Sequence, residues 1–144
     1  MIYKASREDL RELTEMAKRF EECTSHVTVD IEYAIKKYES LFDLGIGHVF
    51  GMRIDGKVVG GLGCVQTDSF HSPAKMLIET FWFVLPEYRG RGKELLEAFE
   101  SLSRELKCDQ VVMVHLSDSM PEILEGLYTK MGYKLVEKCY VKEA

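Results

Sequence analysis

The residues of this sequence best suited to hold a reactive ligand lie in one short turn, residues 89–94, with the sequence Arg-Gly-Arg-Gly-Lys-Glu. An apolar run at 81–85 precedes the turn and suits a buried strand, and Pro86 interrupts the backbone donors of that strand. Apolar side chains then recur at helical spacing, which predicts a helix from about Gly92: Leu95, Leu96, Phe99, Leu102 and Leu106. Glycines let backbone N–H groups converge at a helix start, and Arg89, Arg91 and Lys93 add positive charge. The turn is therefore predicted to bind a phosphorylated ligand.

Two common phosphate-binding motifs do not fit this turn. A nucleoside-triphosphate loop needs Ser or Thr after its lysine, and position 94 is Glu. A dinucleotide loop needs a third glycine beyond Gly90 and Gly92. The segment instead resembles the acyl-CoA pyrophosphate loop of the GCN5-related N-acetyltransferases (GNAT), in which a strand ending in Val-x-Pro is followed by Arg/Gln-x-x-Gly-x-Gly/Ala and a helix.

This resemblance implies acetyl-CoA as co-substrate and assigns its binding residues. The pyrophosphate is expected on Arg89, Gly90, Arg91, Gly92, Lys93 and Glu94, and the pantetheine arm on the backbone of Trp82, Phe83 and Val84. In the family the arm enters a gap between the fourth and fifth strands, here 76–85 and 110–116. Two positions depart from the family pattern. Glu94 replaces a small residue, and Pro121 replaces an Asn, for which Ser117, Asp118 or Ser119 would substitute.

A second segment that resembles the family is Leu-Tyr-Thr-Lys-Met-Gly-Tyr at 127–133. The resemblance implies that the hydroxyl of Tyr128 lies near the acyl-CoA sulfur and protonates the departing thiolate. Such general acid catalysis speeds acyl transfer, because a thiolate leaves more readily when it gains a proton. The alternative is that Tyr128 only packs its ring at the end of a helix.

Acyl transfer to an amine also needs a base, and Glu79 is the strongest candidate. It is the only acidic residue inside the apolar segment 76–85, where burial would raise its pKa toward neutrality. The alternative is that Glu79 faces solvent or neutralises a nearby cation. Asp68 and Glu32 are weaker candidates, in or beside loops expected to rim the cleft.

Composition excludes several other classes. The 144 residues suit a single domain, 1–144, and the formal net charge of -5 argues against a nucleic-acid-binding protein. No segment has the length of apolar residues that a membrane span needs, and the first residues do not resemble a signal peptide. The four cysteines are scattered without metal-ligand spacing, so we expect reduced thiols, no metal and a cytoplasmic location.

The remaining patterns predict an α/β (α+β) domain. Ser6 with Asp9, and then Asp30, are expected to cap two helices, and Asp55-Gly56 is expected to turn a hairpin between strands 48–54 and 57–66. We expect a strand at 110–116 that is buried on both faces. A helix follows, with the capping box Ser119-x-x-Glu122, and the last strand is expected at 133–141. The predicted order is therefore β-α-α-β-β-β-α-β-α-β. The family fold so implied is a mixed, mostly antiparallel central sheet of about six to seven strands with four flanking helices.

The sequence thus predicts an N-acyltransferase that moves an acetyl group from acetyl-CoA to a primary amine by direct attack. Cys64 has no His placed to activate it as a nucleophile. Two other interpretations stay open: a non-catalytic CoA-binding or interaction module with the same fold, and an enzyme that acetylates aminoacyl-tRNA, against which the acidic balance weighs. The acceptor, a small molecule or a protein, and the oligomeric state, with a homodimer among the options, are not specified.

Overall fold

The computed structural model describes all residues, 1–144, and they form two compact units, Met1–Val114 and His115–Ala144. The mixed α/β class predicted from the sequence is confirmed. The single domain over 1–144 stays a prediction.

The first unit is built on one five-stranded sheet in the order β1-β2-β3-β4-β5. Its elements are β1 (Ile2–Lys4), α1 (Leu10–Ala17), α2 (Ile31–Asp43), β2 (Gly47–Ile54), β3 (Lys57–Asp68), β4 (Lys75–Val84), α3 (Lys93–Glu105) and β5 (Gln110–Val112). Neighbouring strands are antiparallel except β4 and β5, which are parallel and joined through α3.

Local capping and turn signals produce the predicted elements. Ser6 and Asp9 form the capping box at the start of the first helical segment, and Asp30 accepts a hydrogen bond of 3.0 Å from the backbone N–H of Tyr33. Asp55 and Gly56 both have positive φ, 49° and 77°, as the tight hairpin between β2 and β3 requires. Residues close in sequence therefore specify where the two helices begin and where the hairpin between β2 and β3 turns.

Two layers of helix cover the sheet and form the core. The stripe predicted on α3 is buried, with Leu95, Leu96 and Phe99 completely inaccessible. Each such side chain contributes about 1.5–3 kcal/mol relative to exposure. On α1, Leu10 and Leu13 are equally buried, so the strands between the helices are held on both faces.

A bulge in β4 and the short length of β5 open one side of the sheet. Cys64 is opposite Glu79 and Gly63 is opposite Phe81, which leaves Thr80 as an extra residue in β4. The strand β5 pairs only with Met76–Ile78. The two strands therefore part after Ile78, and the role of this region in binding a pantetheine arm stays a prediction.

The prediction for β5 was wrong in length and in burial. The strand ends at Val112 rather than at 116, and it lies at the sheet edge, half-buried, rather than in the centre. An apolar run such as 111–114 is buried on both faces only where other elements cover both faces of the sheet, which a sequence pattern does not specify. The sheet has five strands instead of six or seven, and β5 is at its edge.

The second unit contains α4 (Pro121–Lys130), and two further predictions fail there. Its N-cap is Met120 in a left-handed conformation with no side-chain cap, so Ser119 and Glu122 form no capping box. The proline at the first helical position disfavours a helical residue before it, which prevents a start at Ser119. The strand predicted at 133–141 is absent, and residues 134–144 are all exposed because no strand pairs with them and nothing covers their apolar side chains.

Candidate active site

The turn at 89–94, which we call the phosphate turn, follows β4 and a short 3₁₀ helix at Pro86–Tyr88. Arg89 is extended, Gly90 has φ of 100°, and Gly92 is the N-cap of α3. The backbone N–H groups of residues 90–93 donate to no acceptor within the chain, whereas the next amides, of Glu94 and Leu95, bond to the carbonyls of Arg91 and Gly92. Free amides at a helix start, beside cationic side chains, are suited to a pyrophosphate.

Close packing favours glycine at position 92. A Cβ there would lie 3.2 Å from Cζ2 of Trp82 on β4. The backbone of the phosphate turn thus packs against Trp82, one of the residues predicted to bind the pantetheine arm. The residues present fit a pyrophosphate in the turn and an extended arm along the open edge of β4.

Glu94 is paired within the turn rather than free. Its carboxylate oxygens lie 3.3 Å from Nε and 3.4 Å from a terminal nitrogen of Arg91. Lys93 lies 3.6 Å from Glu97 one turn further along the helix. Two of the three cations of the phosphate turn are therefore partly neutralised by the helix that follows.

Glu79 is a buried carboxyl at the point where β5 leaves β4. It is 7 % exposed, and one oxygen accepts a hydrogen bond of 3.3 Å from the backbone N–H of Val114. Burial raises its pKa to about 8, and the Val114 amide opposes this only in part. The sequence-based expectation of a buried acid in β4 agrees with this geometry, and a carboxyl with such a pKa is suited to general base catalysis near neutral pH.

One contact next to Glu79 along β4 was not predicted from the sequence. The hydroxyls of Tyr38, on α2, and Thr80, the bulge residue, are 2.5 Å apart. Burial chiefly raises the pKa of Tyr38, and the charge of Glu79 adds to the effect. Gly63 makes room for the pair, since a Cβ there would lie 2.6 Å from the Tyr38 hydroxyl. Helical spacing could have placed Tyr38 on the inner face of α2, but no local signal predicts a bulge at Thr80.

The chain between α1 and α2, residues 18–30, which we call the connector, is fastened to the turn after β4. Arg19 donates to both carboxylate oxygens of Glu87, at 2.7 and 3.3 Å. Arg89 donates to the sulfur of Cys23 at 3.2 Å. The connector is thus tied at one point to the 3₁₀ helix Pro86–Tyr88 and at one point to the phosphate turn.

Within the second unit, Tyr128 lies on α4 and is buried. Its ring centroid is 5.6 Å from that of Tyr133 and 6.3 Å from that of His115. Gly132, with φ of 89°, follows the helix end as predicted. Ser119 lies in the preceding turn and its N–H bonds to the carbonyl of Leu116. The roles assigned to Tyr128 and Ser119 stay predictions.

The alternative bases are less suited than Glu79. Arg11 lowers the pKa of Glu32 through a two-point ion pair at 2.9 and 3.1 Å. Asp68 is exposed at the end of β3. Cys64 is buried and its pKa is raised to about 12, so its thiol stays protonated and is a poor nucleophile.

No three His, Cys, Asp or Glu side chains are arranged to hold a metal ion. None of the helices combines the length and apolar character that crossing a bilayer requires.

Comparison with known proteins identifies the family. The profile of the Acetyltransferase (GNAT) family matches residues 7–133, which covers most of both units. The chain therefore belongs to the GNAT acetyltransferase family. No curated relative matches the sequence.

Solved structures share the fold over almost the whole chain. A ribosomal-protein-alanine N-acetyltransferase from Brucella melitensis biovar Abortus 2308 is 19% identical, with a TM-score of 0.74, covering 100% of this chain and 99% of that one. A predicted acetyltransferase from Clostridium acetobutylicum, solved with acetyl-CoA, is 13% identical, with a TM-score of 0.77 and coverage of 99% and 95%. AAC(6')-Iy, solved with the bisubstrate analogue CoA-S-monomethyl-acetylneamine, is 18% identical, with a TM-score of 0.75 and coverage of 100% and 97%. At these identities the likeness establishes the shared fold.

Proposed function

We propose that this protein transfers an acetyl group from acetyl-CoA to the nitrogen of a primary amine. The observation that carries the proposal is Glu79, a buried carboxyl with a pKa of about 8 at the edge of the gap in the sheet. An ammonium group cannot attack a thioester, so amine acetylation needs such a base, whereas simple CoA binding does not.

The donor half of the site supports acetyl-CoA as the co-substrate. Residues 90–93 offer free amides, and β5 pairs with β4 only over Met76–Ile78, so an extended arm would enter where the two strands part. The solved relative from Clostridium acetobutylicum contains acetyl-CoA. Membership of an acetyltransferase family is consistent with the same donor here.

The proposed chemistry begins with an acceptor ammonium and releases one net proton. Glu79 takes one proton from the ammonium, and the neutral nitrogen forms a bond to the acetyl carbon while the carbon–sulfur bond breaks. The sulfur leaves with the bonding electron pair and takes a proton from the hydroxyl of Tyr128, the role that the family resemblance implies for this residue. The nitrogen loses its second proton as the amide forms, that proton restores the Tyr128 hydroxyl through solvent, and Glu79 releases its own proton to solvent. The amine is acetylated, the thiol is free CoA, and no covalent enzyme intermediate forms.

Calorimetry and a thiol-release assay test the proposal together. We expect acetyl-CoA to bind, to raise the melting temperature with the logarithm of its free concentration above the dissociation constant, and to be consumed when amines are added. Binding of acetyl-CoA without turnover on any amine would favour the non-catalytic module. Turnover only on charged tRNA would favour an enzyme that acetylates aminoacyl-tRNA. Absence of binding at millimolar acetyl-CoA would contradict the proposal.

A further inference from the structure

Three aromatic rings of the second unit pack in a row, with Tyr128, the proposed acid, in the middle. The ring centroid of Tyr128 lies 6.3 Å from that of His115, with 32° between the ring planes, and 5.6 Å from that of Tyr133. Tyr133 is fixed at the end of α4, because its backbone N–H donates to the carbonyl of Tyr128 at 2.9 Å. Tyr128 is only 8% exposed. The residue that is to lose a proton therefore lies largely out of contact with water.

His115 brings a polar atom without a partner into this row of rings. Its Nδ1 is inaccessible to solvent and has no hydrogen-bond partner, although the side chain as a whole is half-buried. A polar atom that loses water without gaining a hydrogen bond lowers stability, and native proteins contain few of them. The position of this nitrogen next to a buried tyrosine is thus unfavourable for folding, which suggests a role in the reaction.

The proposed acid step creates a charge beside this nitrogen. When Tyr128 gives its proton to the departing sulfur, its oxygen becomes negative for part of the reaction. A negative oxygen that is removed from water is costly unless a hydrogen-bond donor lies next to it. A donor that has no partner in the resting protein and gains one as the charge develops lowers the barrier, because it stabilises the transition state and not the ground state.

We propose that His115 is a positioning residue for this step, and that its Nδ1–H donates a hydrogen bond to the oxygen of Tyr128 as that oxygen loses its proton to the sulfur. This inference rests on the proposed function. The imidazole donates to the oxygen and does not accept from it, so the O–H of Tyr128 stays directed at the sulfur. No proton leaves His115, and the proton balance of the reaction is unchanged. Hydrogen bonds of catalytic groups are often long in the resting protein and tighten in the reacting complex.

Two amide variants separate the two nitrogens of the imidazole. The side-chain amide of Asn stands near the position of Nδ1, whereas that of Gln reaches the position of Nε2. We expect His115→Phe and His115→Gln to lower kcat by about 10², the usual cost of removing one donor to a developing negative oxygen. His115→Asn should keep most of the rate. The affinity for acetyl-CoA should be the same in all three variants, because the hydrogen bond forms only as the charge develops.

A double variant tests whether His115 acts through the oxygen of Tyr128. In the background of Tyr128→Phe, His115→Phe should lower kcat no further, because the oxygen that it stabilises is absent. The matched control is His71→Phe, which removes an exposed imidazole from the loop between β3 and β4 and should leave kcat unchanged. The rates are measured as thiol release from acetyl-CoA with the fastest acceptor among 2-phenylethylamine, spermine and an alanyl peptide, and acetyl-CoA affinity is measured by calorimetry.

Four results would overturn the inference while the proposed function stands: an unchanged kcat in His115→Phe, equal rates in the Asn and Gln variants, an equal loss from His115→Phe with and without the Tyr128 hydroxyl, or a loss of acetyl-CoA affinity that parallels the loss of rate. The last result would assign His115 to packing alone. Absence of turnover by the unaltered protein on every amine would instead overturn the proposed function, and the inference with it.

Discussion

Glu79 is the residue whose environment most directly sets the proposed chemistry, because its pKa of about 8 follows from burial. We expect Glu79→Gln, which keeps the shape, to lower kcat/KM at pH 7 by about 10² to 10⁴. In the unaltered protein kcat/KM should rise with pH through about 8, as Glu79 loses its proton. The deficit of the variant should shrink at higher pH, where more of the acceptor is already deprotonated.

The control for this variant is Glu105→Gln, which removes an exposed carboxylate at the end of α3. It should keep the full rate and the same pH profile. If Glu79→Gln also keeps full activity at neutral pH on a good acceptor, the base lies elsewhere and Asp68 is the next residue to test.

Tyr128 provides the second residue-scale prediction. Tyr128→Phe keeps the ring that packs against Tyr133 and His115 and removes one hydroxyl. Folding and acetyl-CoA affinity should persist while kcat falls by about 10² to 10⁴, the usual cost of losing a general acid. An unchanged kcat would mean that the thiolate leaves unaided or takes its proton from water.

At the scale of elements, the start of α3 is shaped by Gly92. We expect Gly92→Asp to abolish acetyl-CoA binding, because it adds a negative charge to the phosphate turn and a Cβ 3.2 Å from the Trp82 ring. Calorimetric titration measures the affinity. Gly126→Asp, at an exposed helical glycine with nothing within 4 Å of the added Cβ, makes the same change on α4 and should leave the affinity unchanged.

Glu94, also at the start of α3, replaces the small residue of the family pattern. Because its carboxylate pairs with Arg91, Glu94→Ala should free that guanidinium and tighten acetyl-CoA binding by about 1 kcal/mol, as for a charge near a helix N-terminus. Titrations at low and high salt should show the gain shrinking as charges are screened. An unchanged affinity at low salt would show that the Arg91–Glu94 pair does not compete with the pyrophosphate.

For the whole molecule, the buried Glu79 links stability to pH. Its pKa is raised from an ordinary 4.5 to about 8, so between these values the folded state holds a proton that the unfolded state releases. The stabilising contribution is complete below pH 4.5 and is lost as pH rises through 8. Each unit of pKa difference corresponds to about 1.4 kcal/mol in the free energy of unfolding.

Thermal unfolding across pH 5 to 9 measures this linkage. The melting temperature of Glu79→Gln should fall less with rising pH than that of the unaltered protein, since Gln does not ionise. Parallel curves would show that Glu79 is ionised without penalty and is less buried than the structure indicates.

The amino-acid sequence determined the features that depend on near neighbours in the chain. The caps at Ser6 and Asp30, the hairpin at Asp55-Gly56, the buried stripe of α3 and the glycine-rich phosphate turn each arise within a few residues. Backbone conformation and helical periodicity act over that range. The resemblance to the family came from two short segments, 89–94 and 127–133, and was confirmed by the match over residues 7–133.

Tertiary structure decided the features that need distant partners. The bulge at Thr80 arises from the register of β3 against β4, and the Tyr38 contact requires α2 to pack over that bulge. Ion pairs on the surface join residues up to 68 positions apart, as Arg19 and Glu87 do. The shortening of β5 and the exposed segment 134–144 were missed for the same reason. An apolar pattern specifies which face a strand would bury, but only the assembled sheet determines whether a partner is there to cover it.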